Sequence, residues 1–291
     1  MSMRASEPAE PPLPDFSSLC ERFGLLRGEA AKCSPVERRG AFACDCAACA
    51  RWHAFVAGRP HADDASGCAD GAHPRYEVFT AEHVAALAAY LLERRAAYAD
   101  ACPLRVLEVG AGDGRLQHHL SCALQRLGGS ASAVQLTATD SDERGLRAAS
   151  PFASLVRVAP CDAQLLEAER PDLIIACWQP FGVDWTAMFR ACASVREYVL
   201  IGEADDGICG RPWETWGCRA PGDEDGSESS SEEKGESRAA RPLAPYEADG
   251  FVRVDLPGLS RWQLCRTDER WRSRGASRTV AFRRRDPAGL S

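Results

Sequence analysis

The chain has 291 residues, 45% hydrophobic and 26% charged, with 14 cysteines and a net charge of −7. At ~150 residues per domain this makes one large folded unit or two small ones, and it excludes a fibrous repeat or a wholly disordered chain. A multi-span membrane protein is excluded as well, since the apolar stretch Ala85–Leu92 falls far short of the ~20 residues a membrane helix needs.

In chain order, residues 1–18 are polar and Pro-rich and predict a disordered tail; they lack the apolar run of a signal peptide, so cytoplasmic or nuclear residence is expected. Residues 19–75 show neither helical period nor clean alternation and form a Cys-rich N-terminal region. From Thr80 the character changes. Thr80 caps a helix whose Val84, Leu87, Leu91 and Leu92 recur at three- and four-residue spacing, so the main domain is expected to span 76–291. A strand at 104–109 precedes a Gly-rich turn and a helix over 114–127. Strand 133–139, a short helix at 142–148, strand 155–159, a helix at 163–169, strand 173–177 and a strand at 198–201 follow. This alternation predicts an α/β fold with a mostly parallel sheet covered on both faces. Residues 221–240 are acidic and Ser/Gly-rich and predict a disordered insertion. Strand-like pieces at 251–256, 262–266 and 279–284 close the chain.

Charge is uneven. Residues 223–236 hold seven acids and one lysine, whereas 266–285 hold eight arginines against Asp268 and Glu269. The only lysines are Lys32 and Lys234, so the arginine bias is uniform and reads as base composition of the gene. No basic excess of the kind that marks a nucleic-acid binder is present.

The informative motif is Glu108-Val-Gly110-Ala111-Gly112-Asp-Gly114, after a predicted strand and opening a predicted helix. Glycine there lets the backbone turn tightly and approach a ligand without a Cβ in the way. Asp140 closes the second strand, where a carboxylate is placed to take ribose hydroxyls, and Asp162 closes the third, placed to accept from an exocyclic amine. Either acid alone would more often be a solvated loop residue. Three sites at the carboxyl ends of consecutive strands lie along the edge where open α/β sheets bind ligands. The Gly-x-Gly-x-Gly spacing departs from the Gly-x-Gly-x-x-Gly of nicotinamide and flavin folds, and no Lys-Ser/Thr pair of a phosphate loop follows.

With those residues, 104–291 resembles the Rossmann-like, seven-strand (class I) S-adenosylmethionine-dependent methyltransferases. The resemblance covers about two thirds of the chain. It implies a three-layer sandwich ending in an antiparallel hairpin, for which 262–266 and 279–284 are the candidates. It also implies S-adenosylmethionine as cofactor: Glu108, Gly110, Ala111, Gly112 and Gly114 around the methionine moiety, Asp140 on the ribose, and Asp162 with Ala163 at the adenine. The expected activity is methyl transfer to an acceptor, an amine of a protein or small molecule. The alternatives are a catalytically silent cofactor-binding or scaffold relative and a nicotinamide oxidoreductase.

After the fourth strand, Cys177-Trp178-Gln179-Pro180-Phe181 resembles the polar–Pro–Pro–aromatic segment of amine methyltransferases, with Trp178 and Gln179 standing where Asn/Asp and the first Pro would be. Trp178 and Gln179 are therefore catalytic candidates. Glu203, at the end of the fifth strand, is the candidate general base, since a base is needed when the nucleophile begins protonated. Residues 172–217 are also similar to methyltransferase-like proteins sharing a Trp-x-Pro-x-Gly-x-Asp-Trp-Thr run.

Cys44, Cys46 and Cys49 crowd three thiols into six residues. Tetrahedral zinc needs four such ligands, and Cys33, His53 or Cys68 could supply the fourth, with Cys33 favoured. Phe42-x-Cys-x-Cys-x-x-Cys49 locally resembles the post-SET zinc-binding segment, although the chain holds no SET domain. A structural zinc ion or ordinary thiols are the two readings.

Overall fold

The computed structural model describes residues 13–25, 36–38, 41–43, 46–59, 74–98, 103–128, 133–148, 150–219, 242–268 and 275–285. The expected insertion 221–240 lies outside these residues, as do Cys33, Cys44 and Cys68.

Seven strands form the central sheet: β1 (Leu104–Val109), β2 (Val134–Asp140), β3 (Val156–Val158), β4 (Leu173–Cys177), β5 (Glu197–Glu203), β6 (Phe251–Asp255) and β7 (Ser277–Arg284). Their order is β3-β2-β1-β4-β5-β7-β6. The first five run parallel, and β7 lies antiparallel between β5 and β6. The fold is a Rossmann-like α/β sandwich closed by a C-terminal antiparallel hairpin. Side-chain alternation splits each strand between two cores. Leu104, Val106, Leu173 and Ile175 face helices α3 (Ala81–Ala97) and α4 (Arg115–Arg126). Leu107, Val109, Ile174 and Ala176 face the opposite layer, with Leu166 of α5 (Ala163–Glu169) and Phe189 of α6 (Thr186–Ala191). Burial on both faces is why these strands read as continuous apolar runs.

Three local expectations are corrected. The helix expected at 142–148 is a series of turns, because Asp142 and Gly145 hold left-handed backbone (φ 60° each) that no helix continues through. The hairpin partner of β7 is β6, not 262–266. Pro257 opens a short helical turn, Pro257–Ser260, that carries the chain off the sheet. Only Leu264–Cys265 of that piece is a strand, and it pairs antiparallel with Glu77–Val78 in a separate ribbon.

Where it is described, the lead region holds two helices, α1 (Phe16–Phe23), capped by Asp15, and α2 (Ala47–Val56), and a short antiparallel pair of strands, Val36–Arg38 with Ala41–Ala43. Helix α1 begins inside the span expected as a tail, and Pro14 accepts from the Ala81 amide at 3.0 Å. Leu19, Phe23, Trp52 and Val56 share a core with Val78 and Leu264 of the ribbon. Among the described residues no helix is long and apolar enough to cross a membrane.

Candidate functional site

A cleft of about 570 Å³ opens over the carboxyl ends of β1, β2 and β4. This is the crevice where strand order reverses, with β2 on one side of β1 and β4 on the other, and ligands of open α/β sheets bind there. The glycine turn forms its floor. Gly110 holds φ +67°, and a Cβ there would lie 2.8 Å from the Trp185 ring. Gly114 holds φ +82°, and its Cβ would meet Val156 at 2.7 Å and the Phe152 carbonyl at 2.9 Å. Gly110 thus leaves room for a ring that lines the cleft, whereas Gly114 seats α4 against β3.

The turn is tied to β2. The Gly112 amide donates to Asp140 Oδ2 at 2.9 Å and the Asp142 amide to Oδ1 at 2.7 Å. Asp140 is thereby oriented toward the cleft, each oxygen keeping a lone pair for a further donor. Glu108 is different. It lines the cleft, is only 4% exposed, and its carboxylate accepts no hydrogen bond and meets no cation among the described residues. Burial, with the charges of Asp113 and Asp140 adding to it, pushes its carboxyl up to about 8. The cleft thiols are inert acids: burial above all, reinforced by Glu77 and Glu108, holds Cys177 well above the usual thiol range, and burial pushes Cys161 up to about 12.

The far wall is aromatic. Trp178, Phe181 and Trp185 line it from the loop after β4, together with Tyr76 and Phe79 from the ribbon side. Trp178 has φ +59°, a rare conformation for a bulky residue. It is held there by its amide, which donates to the Ile201 carbonyl at 2.8 Å, and by its indole, which donates to Glu77 Oε2 at 2.8 Å. The loop is clamped against the segment after β5. Asp184 accepts from Thr186 and from Thr215 Oγ1 at 3.0 Å, and the Gly182 amide reaches the Gly210 carbonyl at 2.9 Å. These contacts join the Gly182–Thr186 loop to the segment Gly210–Thr215.

Glu77 is the residue that sequence reading missed. It lies at the very start of the predicted domain, on a strand too short to show a period, and faces the cleft only because the ribbon pairs it with Cys265. The cleft brings Glu108, Gly110, Ala111, Gly112, Asp140 and Trp178 together as expected. Other candidates lie off it. Glu203 is absent from the lining and 6% exposed; one of its oxygens accepts from Thr267 Oγ1 and the other from the Ile208 amide at 3.2 Å. Gln179 is buried and turns back to donate to the Val183 carbonyl at 2.5 Å. Both side chains brace loops through these bonds, although the buried Gln179 Oε1 has no partner among the described residues. Asp162 accepts from the Leu165 amide at 2.8 Å as the N-cap of α5, while Ala163 borders a separate hollow between α5 and α6. Asp162→Ala is expected to cost about 1 kcal/mol by loss of that cap, measured by urea unfolding.

Of the thiol cluster, Cys46 caps α2, its sulfur accepting from the Cys49 amide at 3.5 Å, and Cys49 is fully buried. Among the described residues no group of three or more His, Cys, Asp or Glu side chains could hold a metal ion. The described pair supplies at most half of a tetrahedral zinc set.

No protein-family model matches the chain, and no curated protein matches it. Solved structures do. The DszA carbon methyltransferase is similar at 16% identity and TM-score 0.39, over 69% of this chain and 52% of its own. Magnesium protoporphyrin IX methyltransferase (ChlM) from Synechocystis PCC 6803 is similar at 13% identity and TM-score 0.37, over 70% and 80%. The mitomycin 7-O-methyltransferase MmcR is similar at 14% identity and TM-score 0.36, over 70% and 54%. The chain spans about half the length of the first of these. The fold assignment above stands on strand order and register.

Proposed function

We propose that the cleft binds S-adenosylmethionine and that the chain transfers its methyl group to an acceptor. The observation that carries this reading is Glu108: a buried carboxylate without hydrogen bond or cation among the described residues, lining a cleft beside a glycine turn and Asp140. Such a group is stabilised by a ligand that brings a positive charge.

In this reading Glu108 takes the ammonium of the methionine moiety, and Asp140 takes the ribose hydroxyls with its remaining lone pairs. Gly110, Ala111 and Gly112 let the backbone approach, and the Trp185 ring above Gly110 excludes water from the bound ligand. Asp162 and Ala163 would serve the adenine only from the rim, because Asp162 already caps α5. When bound, the cofactor supplies an electrophilic methyl carbon on a sulfonium. Methyl transfer is an in-line displacement, so the chain's contribution is placement and desolvation more than covalent chemistry.

One observation favours the second reading, a cofactor-binding protein without turnover: Glu203 and Gln179 are both engaged in bracing loops. Calorimetry separates classes. S-adenosylhomocysteine is expected to bind one to one and NAD not at all; binding of NAD alone would replace the reading with an oxidoreductase. Transfer of label from methyl-labelled S-adenosylmethionine to an acceptor then separates enzyme from silent relative.

A further inference from the structure

Three of the buried carboxylates among the described residues are treated differently. Glu197 is fully buried but lies 3.0 Å from Arg94 and 3.4 Å from Arg283 and accepts from Tyr98 at 3.0 Å. Glu108 has no such compensation and is assigned above to the cofactor. Glu77 is 6% exposed, lines the same cleft and has no ion pair among the described residues. Its three donors are all neutral: Trp178 Nε1 at 2.8 Å, Ser277 Oγ at 2.8 Å and Gln263 Nε2 at 3.0 Å.

The network behind Glu77 adds no positive charge either. Gln263 Oε1 accepts from Thr279 Oγ1 at 2.6 Å, and that hydroxyl lies 3.3 Å from His83 Nε2. Burial holds His83 down to about 4, so its ring is neutral at physiological pH. On the cleft side the neighbours are aromatic. The Tyr76 and Trp178 rings are 5.7 Å apart and tilted by 45°. The arginines near this wall are engaged elsewhere than on the acid: Arg144 Nη1 donates to the Tyr76 hydroxyl at 3.1 Å, the Arg266 guanidinium lies 5.0 Å from the Tyr76 ring centre, and Arg75 lies 4.5 Å from the Phe55 ring centre and donates to the Phe55 carbonyl. A buried carboxylate with only neutral donors, beside aromatic faces, is built for an ammonium, which gains from both the charge and the ring quadrupoles.

We propose that Glu77, with Tyr76 and Trp178, forms the acceptor subsite, that the acceptor is an alkyl amine bound as its ammonium, and that Glu77 removes its proton. This rests on the cofactor reading above. In the step, an N–H bond of the ammonium breaks and the proton passes to the Glu77 carboxylate. The freed nitrogen pair bonds to the methyl carbon, and the carbon–sulfur pair stays on sulfur. The product leaves as a methylated ammonium, and Glu77 returns its proton to water. Burial, more than any neighbouring charge, pushes the Glu77 carboxyl up to about 8, closer to an amine than an ordinary carboxyl and better matched for this transfer.

The test uses the full chain, with and without S-adenosylhomocysteine, and three probes of similar shape: 2-phenylethylamine, 2-phenylethanol and 3-phenylpropionate. The amine is expected to bind at least tenfold tighter than the alcohol, and the carboxylate not to bind. Glu77→Gln keeps the side chain's size and should erase the amine preference while S-adenosylhomocysteine affinity stays unchanged. A structural role alone would not move selectivity between amine and alcohol. Equal binding of amine and alcohol to the unmodified chain, no amine binding at all, or a preference that survives Glu77→Gln overturns the proposal. The first comparison needs no variant, so it decides even if Glu77→Gln fails to fold. Failure of S-adenosylhomocysteine to bind overturns the cofactor reading instead, and the preference measured without it still decides the subsite.

Discussion

Glu108→Gln is expected to stabilise the ligand-free protein in mildly alkaline buffer while weakening S-adenosylhomocysteine binding about a hundredfold. The carboxyl ionises near 4.5 when exposed and near 8 in the folded chain. Between those values the folded protein keeps a proton that the unfolded chain has lost. The stability tied to this proton is therefore complete below pH 4.5 and drains away as pH rises through about 8. At ~1.4 kcal/mol per pH unit, less the partial titration at either end, the loss between pH 5 and 8 is about 3–4 kcal/mol for this one group. Glutamine cannot ionise, so its melting temperature should fall less over that range, as read by thermal melts at fixed salt. Binding runs with the opposite sign. A cationic ligand needs the carboxylate ionised, so affinity of the unmodified protein should climb between pH 6 and 8, whereas that of the variant stays flat and weak. The hundredfold loss corresponds to ~3 kcal/mol, ordinary for removing one partner of a desolvated charge pair. A pH-independent affinity in the unmodified protein would show that Glu108 does not meet the ligand's charge.

Gly110→Val is expected to abolish cofactor binding and to lower stability by about 2–4 kcal/mol. The backbone there has φ +67°, which costs a side-chain-bearing residue ~1–2 kcal/mol, more for a β-branched one. The new Cβ would also lie 2.8 Å from the Trp185 ring, and overpacking of this kind costs a further ~1–3 kcal/mol. The ring has to move, and the space it moves through is the cleft. A double-mutant cycle separates the two costs. In Gly110→Ala with Trp185→Leu the steric part should be recovered and the backbone part should remain, giving a coupling of about 1 kcal/mol or more by chemical denaturation. Additive effects of the two substitutions would mean that the ring does not rest on Gly110.

What the sequence alone determined about this protein is everything set by neighbours in the chain. The apolar runs 104–109 and 173–177, the glycine turn after Glu108, the cap at Thr80 and the acids at 140 and 162 were legible because a strand's alternation, a cap or a left-handed turn is decided within a few residues. The parallel sheet followed from their succession. Partnership was decided only by the tertiary structure. Glu203 and Glu77 are both acids on short or strand-ending apolar segments, and nothing local tells which one reaches the cleft. Glu203 is braced by Thr267 and the Ile208 amide and lies off the cleft, whereas Glu77 is carried into it by a two-residue ribbon and receives Gln263 from 186 residues away. The 262–266 piece, read as a sheet strand, became part of that ribbon because Pro257 turned the chain first. A carboxylate's charge, reach and pKa depend on what desolvates it and what donates to it, and in a chain of this length those groups come from distant segments that only the packed fold brings together.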